Sequence, residues 1–173
     1  MHPFLHSLSA ILCAAFIGIA TTGLSMAADN NADQAREPMV RVQGVEVISS
    51  PIGAVVVLKL PNKQIPVFVD PVVAISIQSA LGGQAPARPL SHDLMQTVLE
   101  SLDAKVTQAA ITLKDGTFYG ALTLDVAGRT KVFDCRSSDA IALAVRFKAP
   151  ILLDPSLVES AGIERTEERV PTI

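Results

Sequence analysis

The sequence predicts an α+β fold, in which a mixed, largely antiparallel sheet packs with three to four helices in a single domain. Short β-branched runs bounded by Pro, Gly and Asn indicate strands, and apolar residues three or four apart after polar starts indicate helices. The chain has 173 residues, of which 49% are hydrophobic. That length supports one good core and is too short for two ordinary domains.

Three strands are predicted at the start of the domain. Val40 to Ile48 alternates between apolar and other residues, whereas Ala54 to Leu60 and Ile65 to Val69 are β-branched runs. Prolines, Gly53 and Asn62 bound these runs, as expected where a chain turns from one strand into the next.

Two helices are predicted to follow these strands. Pro71 can occupy the first helical position, and the apolar residues from Val72 to Leu81 continue until two glycines end the helix. After a proline-containing loop that ends at Pro89, Ser91 can cap a second helix. An apolar stripe at helical spacing places this second helix on the core, and it consists of Leu94, Met95, Val98, Leu99 and Leu102.

The second half of the domain carries two hairpin signals. Strands from Lys105 to Lys114, Thr117 to Val126 and Arg129 to Cys135 are joined by Asp115-Gly116 and Ala127-Gly128. Such two-residue links predict an antiparallel meander, because they suit the tight turns of β-hairpins.

Two-residue loops also fix which residues of the meander face one another. The predicted pairs are Lys114 with Thr117, Thr112 with Tyr119, Tyr119 with Arg136, and Ala121 with Asp134. One side of the meander should therefore be a core face that buries the thiol, carrying Ile111, Leu113, Phe118, Leu122, Leu124, Phe133 and Cys135. The other side is polar and carries Thr112, Lys114, Thr117, Tyr119, Asp134 and Arg136.

A third helix is predicted after the meander. Ser137 or Ser138 can cap it, and Ala140 to Val145 is apolar on every side, which predicts a segment that is buried all round. Ile151 to Leu153 then forms a short last strand, and Pro155 to Ala161 forms a last helical turn or two.

The N-terminus resembles an export segment. Residues 1–27 contain no Lys, Arg, Asp or Glu, include an apolar run from Leu8 to Ala20, and end in small residues before Ala28, as a cleavable signal peptide does. Its n-region lacks Lys and Arg, so an uncleaved membrane anchor is the alternative to a cleaved signal peptide. We expect a periplasmic or secreted protein without stable membrane association once the signal is cleaved.

The remaining chain divides into three parts: a flexible leader over 28–38, the domain over 39–163 and a charged tail over 164–173. Cleavage would remove Cys13 and leave Cys135 alone, which excludes an intramolecular disulfide. The net charge is −3, so the protein lacks the basic surface that drives binding to long nucleic acid, which argues against a simple DNA coat or scaffold.

Candidate chemistry gathers where the last meander strand enters the third helix. Arg136, the hydroxyls of Ser137 and Ser138, and the free N–H groups of a helix start can hold a phosphate. Asp134 and Asp139 can hold a divalent metal beside it, Mg²⁺ or Mn²⁺. Taken one by one, these residues are also explained by helix capping, the helix dipole and an ordinary solvated sheet face.

His92 is the second candidate, because imidazole is the side chain best suited to proton transfer near neutral pH. It lies beside Asp93 at the predicted start of the second helix, near Arg88. A histidine at a helix start is also often structural. The chain shows no Ser-His-Asp order, Cys-His pair, zinc spacing or phosphate-binding glycine loop.

Four separated blocks, in order and at the right spacing, resemble the bifunctional nuclease domain, a family credited with DNase and RNase activity. The blocks are Ile65 to Gly83, Arg88 to Leu102, Lys114 to Leu124 and Phe133 to Ile151. The resemblance covers Val40 to Ile163. It implies an α+β fold, homodimerisation and metal-dependent hydrolysis of phosphodiester bonds in DNA and RNA.

The resemblance also directs attention to the positions inside these motifs, which are Arg88, His92, Asp93, Asp115, Thr117, Tyr119, Asp134, Arg136, Ser138 and Asp139. Of these, His92, Tyr119, Asp134 and Asp139 are the expected catalytic residues, and Arg88, Thr117, Arg136, Ser137 and Ser138 the expected substrate-binding residues. Cys135 and Ser137 replace the Ala and Pro that are common in the family, and neither change removes a candidate ligand. A non-catalytic periplasmic binding module on the same fold is the alternative function.

Overall fold

The strands of this chain divide between two sheets. The computed structural model describes residues 38–51, 53–83 and 86–165, which form an α+β domain. The strands are β1 (Val40–Arg41), β2 (Gly44–Ser50), β3 (Gly53–Lys59), β4 (Lys63–Val69), β5 (Ala104–Lys114), β6 (Thr117–Val126), β7 (Arg129–Arg136), β8 (Ile151–Leu153) and β9 (Ile163–Glu164). The helices are α1 (Pro71–Gly82), α2 (Ser91–Ser101), α3 (Ser137–Phe147) and α4 (Pro155–Ala161).

One sheet has the order β1-β8-β5-β6-β7, and the other has the order β2-β3-β4-β9. Every pairing is antiparallel except that of β5 with β8, which is parallel. The predicted mixed, largely antiparallel arrangement is therefore confirmed, while its division into two sheets is not visible in the hydrophobic pattern.

The first predicted strand is divided because the chain passes from one sheet to the other. The Val42 N–H donates to the carbonyl of Ile151 at 2.9 Å, and the Gln43 N–H donates to the carbonyl of Lys59 at 2.8 Å. Consecutive residues thus bond to different sheets. The alternation shifts by one residue here, from Val40 and Val42 to Val45 and Val47, and the single strand predicted over this range is two strands in the structure.

Both predicted hairpins are confirmed with their register. Tyr119 pairs with Arg136, and Ala121 pairs with Asp134. The turn residues Asp115, Gly116, Ala127 and Gly128 have φ values of 51°, 74°, 50° and 77°. Positive φ at both central residues is the requirement of a type I′ turn, which is why glycine occupies the second position of each.

Replacing Ala127 by Asn is expected to raise the free energy of unfolding by about 0.5–1 kcal/mol, because alanine is strained at positive φ whereas asparagine tolerates it. Urea denaturation followed by circular dichroism measures the change. Asp115→Asn is the matched control in the other hairpin, where the native residue already tolerates the conformation, and should change stability by less than about 0.5 kcal/mol. An unchanged midpoint for Ala127→Asn would contradict the argument.

The core is centred on α3, as the apolar segment after the two serines predicts. Ala140, Ile141, Ala142, Leu143 and Ala144 are at most 2% exposed. The helix packs against β5 and β6 on one side and against α1 and α2 on others. Because α3 is enclosed in this way, its first residues are held in a fixed position relative to α1, α2 and the meander.

The start of α3 depends on a glycine in β6. A Cβ atom at Gly120 would lie 2.9 Å from the Ala140 Cβ and 2.9 Å from the Arg136 carbonyl oxygen. These distances are shorter than normal contacts between such atoms, so only glycine lets the strand approach the helix start this closely.

The prediction that the apolar stripe of α2 lies on the core is wrong. Its members Leu94, Met95, Val98 and Leu102 are 60%, 46%, 45% and 62% exposed, and His92 is the one buried residue of the helix. Of the five stripe residues, Leu99 alone packs against the core, and the rest of the inward face is held by the polar contacts of His92 and Asp93. Phe133, predicted on the core face of the meander, is likewise 48% exposed, and Cys135 is half-buried.

Two predictions about the termini fall outside the described residues, namely the signal peptide with most of the leader and the last eight residues of the charged tail. The tail does begin in an ordered way, because β9 pairs with β4 and the Arg165 N–H donates to the Asn62 carbonyl at 2.9 Å. No helix in the described part of the chain has the length and apolar character needed to cross a membrane.

Candidate functional site

A cavity of about 900 Å³ lies between α1, α2, α3 and the meander. Most of its lining is apolar and comes from Val, Leu, Met and Phe side chains. The polar exceptions include His92, Asp70, Arg136 and Asp139, of which Asp70 and Arg136 are largely exposed. A deep apolar cavity with a few convergent ionisable groups is the usual form of a small-molecule or substrate site.

His92 is held between two side chains from different helices. Its Nδ1 lies 3.1 Å from the Ser76 Oγ of α1, and its Nε2 lies 3.2 Å from the Asp139 Oδ1 of α3. The imidazole is only 8% exposed. A buried histidine with both ring nitrogens bonded has a fixed orientation, which is how acid–base residues are positioned in enzymes.

The protonation pattern of His92 follows from its neighbours. The Ser76 Oγ accepts a hydrogen bond from Arg146 Nη2 at 2.7 Å, so the hydroxyl hydrogen is free to point at Nδ1 of His92. Neutral His92 therefore carries its proton on Nε2 and donates it to Asp139.

Arg146 anchors the far end of this network. Its side chain is 2% exposed, and it donates to the Asp93 carboxylate at 2.9 Å and to the Ser76 carbonyl at 2.9 Å. It also donates to the Ala142 carbonyl at 3.0 Å. Asp93 in turn accepts from the Leu90 N–H at 2.8 Å. A buried cation fully engaged in this way ties α1, α2 and α3 together.

The other end of the network reaches solvent through Arg136. Its Nε donates to Asp139 Oδ2 at 2.8 Å, its Nη2 donates to Asp139 Oδ1 at 3.0 Å, and its Nη1 donates to Asp70 Oδ2 at 3.3 Å. The guanidinium is 64% exposed. It is therefore oriented by two carboxylates while it stays accessible to a ligand.

Burial raises the pKa of Asp139, whereas hydrogen bonds and positive charge from Arg136 and His92 lower it. The net pKa lies below its ordinary value of 3.8. Asp139 is therefore ionised at neutral pH, and the stability that its ionised form contributes is lost only as the pH falls through the lowered pKa. Burial and the charges of Asp139 and Asp134 raise the pKa of the Cys135 thiol, which is consequently not a thiolate nucleophile at neutral pH.

A second groove, of about 580 Å³, lies on the other side of Arg136. Its lining includes Phe68, Thr117, Ser137 and Ser138. Asp70 and Arg136 line both the cavity and this groove, so the two are adjacent. The N-cap of α3 is Arg136, and no side chain caps the helix, so the prediction that Ser137 or Ser138 caps it is wrong.

Comparison with known proteins identifies the family. Residues 56–166, more than half of the chain, match the bifunctional nuclease domain. The chain belongs to the bifunctional nuclease domain family. It is also similar to uncharacterised proteins from two strains of Mycobacterium tuberculosis, with 31% identity over 127 residues that cover 72% of this chain and 76% of each relative. The family indicates nuclease-like function, with nucleic acid as the broad class of substrate.

In this bifunctional nuclease domain, the predicted residues fall into two sets. The structure brings His92, Asp139 and Arg136 into direct contact, and it places Thr117, Ser137 and Ser138 in the adjoining groove. The predicted positions that it leaves outside the cavity and the groove are Arg88, Asp93, Asp115, Tyr119 and Asp134. Asp134 pairs with Ala121 and points to the sheet face opposite Phe133 and Cys135, which line the cavity.

The donor set at Asp139 does not fit a resident metal ion. Both of its carboxylate oxygens accept hydrogen bonds from Arg136, and one also accepts from His92. A cation bound there would lie against a guanidinium. No group of three or more His, Cys, Asp or Glu residues within the described ranges is placed to hold a metal.

The sequence did not indicate Ser76, Arg146 or Asp70. Ser76 and His92 with Asp139 form the serine–histidine–aspartate order that the sequence pattern did not show, because the three residues come from three helices. Ser76 is 1% exposed and its oxygen accepts from Arg146, so it orients His92 and is not placed as a nucleophile. A polar residue within an apolar helical run, such as Ser76, was the one available signal.

Proposed function

We propose that this protein hydrolyses phosphodiester bonds in DNA and RNA at the site formed by Asp139, His92 and Arg136. The observation that carries the proposal is the contact of these three side chains at the junction of the cavity and the groove. A partly buried acid–base pair beside an accessible guanidinium can support phosphodiester hydrolysis, and the family supports the same chemistry.

Each residue has a distinct role in this proposal. Arg136 binds a non-bridging phosphate oxygen and offsets the charge that develops during attack by water. Asp139 accepts a proton from the attacking water as the water oxygen bonds to phosphorus, and the P–O bond to the leaving nucleoside oxygen breaks. The proton then passes from Asp139 to that leaving oxygen, while His92 holds the carboxylate in position through Nε2. Arg88 and Thr117 extend the contacts to more distant phosphates, and Tyr119 and Asp134 remain predicted catalytic residues on the polar sheet face.

A requirement for Mg²⁺ or Mn²⁺ also remains a prediction, which the family resemblance supports and the donor set at Asp139 does not. A bound divalent cation would supply positive charge to the phosphate. Asp134 and Asp139 are the carboxylates that the sequence assigns to it.

The direct test is cleavage of single-stranded DNA, double-stranded DNA and RNA by the purified protein in Mg²⁺, Mn²⁺ or EDTA. We expect cleavage by the wild type and a loss of at least about 10-fold in His92→Gln, which keeps a hydrogen-bonding side chain and removes the imidazole. Glu100→Gln, an exposed change on the same helix, should cleave normally. Absence of cleavage in every condition would favour the non-catalytic binding module.

We also propose that the protein is a homodimer whose interface includes the exposed apolar stripe of α2. Three large apolar side chains of α2 and that of its C-cap residue Leu102, between 45% and 62% exposed, form a patch of the kind that marks an interface. Leu94→Glu is expected to convert a dimer into a monomer in analytical ultracentrifugation, because it places a charge in the patch that the proposed dimer would bury. Gln96→Glu on the same helix is the control, and a dimer that persists in Leu94→Glu would contradict this interface.

A further inference from the structure

Phe68 is a large aromatic residue on the outward face of β4, where alternation along the strand leaves its ring in water. In β4, Ile65 and Val67 are 0% and 2% exposed and belong to the core, whereas Phe68 is 80% exposed. Its ring stands at the edge of the groove that also contains Thr117, Ser137 and Ser138. A large aromatic ring left in water beside a polar groove is a recognised form of binding surface.

The floor of the groove is the first turn of α3, which lacks capping partners. Ser137 and Ser138 are 6% and 9% exposed, and their hydroxyls make no hydrogen bond to any described part of the chain. Both residues nevertheless line the groove. The residues Ser137 and Ser138 are largely buried, but their oxygens keep some exposure, because no fully enclosed side-chain oxygen of the described residues lacks a partner. The groove therefore offers two accessible hydroxyls and the free N–H groups of an 11-residue helix, a set of donors suited to an anion.

We propose that this groove binds single-stranded nucleic acid, with one phosphate at the start of α3 and the adjacent base stacked on the Phe68 ring. The proposal rests on the proposed function, because the strand continues past Arg136 to the hydrolytic site. The shared lining by Asp70 and Arg136 makes that path continuous. Single strands are selected because a base in a duplex is already stacked on its neighbours and cannot reach the ring.

Asp70 is the charged group that opposes this binding. It is 71% exposed, lines the groove and forms an ion pair with Arg136. An exposed pair of this kind contributes little to stability, so a phosphate can displace Asp70 from Arg136. Stacking on Phe68 and the donors of α3 then supply the interactions that do not depend on Arg136.

The protein contains no tryptophan, which allows a direct test. Full-length Phe68→Trp is titrated with a phosphorothioate oligo(dT), which resists hydrolysis, and tryptophan emission is recorded. We expect quenching by the single strand and little quenching by the same sequence in a duplex. Val132→Trp is the control, since Val132 is 65% exposed and lines neither the cavity nor the groove.

Two further variants give the expected loss of affinity. Phe68→Ala should weaken binding of the single strand about 5- to 100-fold, the range found when a stacking aromatic is removed. In the Phe68→Trp protein, the double change Ser137→Ala and Ser138→Ala should weaken binding while it leaves the quenching at saturation unchanged; the affinity of Phe68→Ala, which has no tryptophan, is measured by the fluorescence anisotropy of a labelled oligo(dT). Unchanged affinity in Phe68→Ala, or equal quenching in both tryptophan variants, overturns the proposal.

Failure here is distinguishable from failure of the proposed function. Quenching by single-stranded DNA without any cleavage would support this groove and contradict the hydrolytic role. If the wild type cleaves single-stranded and duplex substrates and Phe68→Ala cleaves both equally well, the hydrolytic role would be supported and binding in this groove would be contradicted.

Discussion

Replacing Arg146 by Met is expected to lower the free energy of unfolding by about 3 kcal/mol, at the lower end of the range for breaking a buried ion pair because Asp93 is 28% exposed. The change leaves Asp93 without its cation and removes the donors to the Ser76 carbonyl and hydroxyl. Methionine keeps much of the apolar volume of the arginine side chain, so the decrease in the free energy of unfolding measures the contribution of the polar contacts. Urea denaturation followed by circular dichroism measures it.

Arg129→Met is the matched control for this change. Arg129 is exposed, at the start of β7, and the same substitution there should alter stability by less than about 0.5 kcal/mol. A loss below about 1 kcal/mol for Arg146→Met would show that the three helices are held together by apolar packing alone.

Asp139→Asn is expected to reduce phosphodiester cleavage by about 10²- to 10⁴-fold, the usual contribution of a general base. Asparagine can still accept a hydrogen bond from His92 but cannot take a proton. Initial rates on single-stranded DNA or RNA measure the effect, and thermal unfolding of the variant verifies that it is folded.

Asp134→Asn is the informative partner of that variant. The two aspartates were predicted to bind one metal, but the structure places Asp134 on the opposite face of the meander from the cavity. Equal losses in both variants, and in EDTA, would support the predicted metal pair. Loss in Asp139→Asn alone would support hydrolysis by Asp139 with His92 and Arg136.

The strand pairing in the meander was predictable, because a two-residue turn and the alternation of side chains along each strand are compatible with one register only. The first glycine-containing turn, Asp115-Gly116, fixed the pairing of β5 with β6, and the pairing of Tyr119 with Arg136 followed from the second turn. The burial of α3 was also predictable, because a helix that is apolar on every side is buried on every side.

The contacts of the site were not predictable from the same pattern. His92 and Asp139 are 47 residues apart, and their meeting depends on how α2 lies against α3. The apolar stripe of α2 was assigned to the core because periodicity shows that a face is apolar, without showing what covers it. The sequence indicates only that Arg146 is a basic residue in the last turn of a helix. Its burial depends on the contact with Asp93, which lies on another helix.

The half-buried Cys135 makes the protein suitable for chemical labelling. Its side chain lines the same cavity as His92 and Asp139, and it is the one free cysteine of the described residues. Once Cys13 is removed or replaced, alkylation at alkaline pH can modify a single position, since the raised pKa keeps the Cys135 thiol protonated at neutral pH. The rate of that reaction reports access to the cavity, so any molecule that enters it can be detected as protection of Cys135, without an assay of its chemistry.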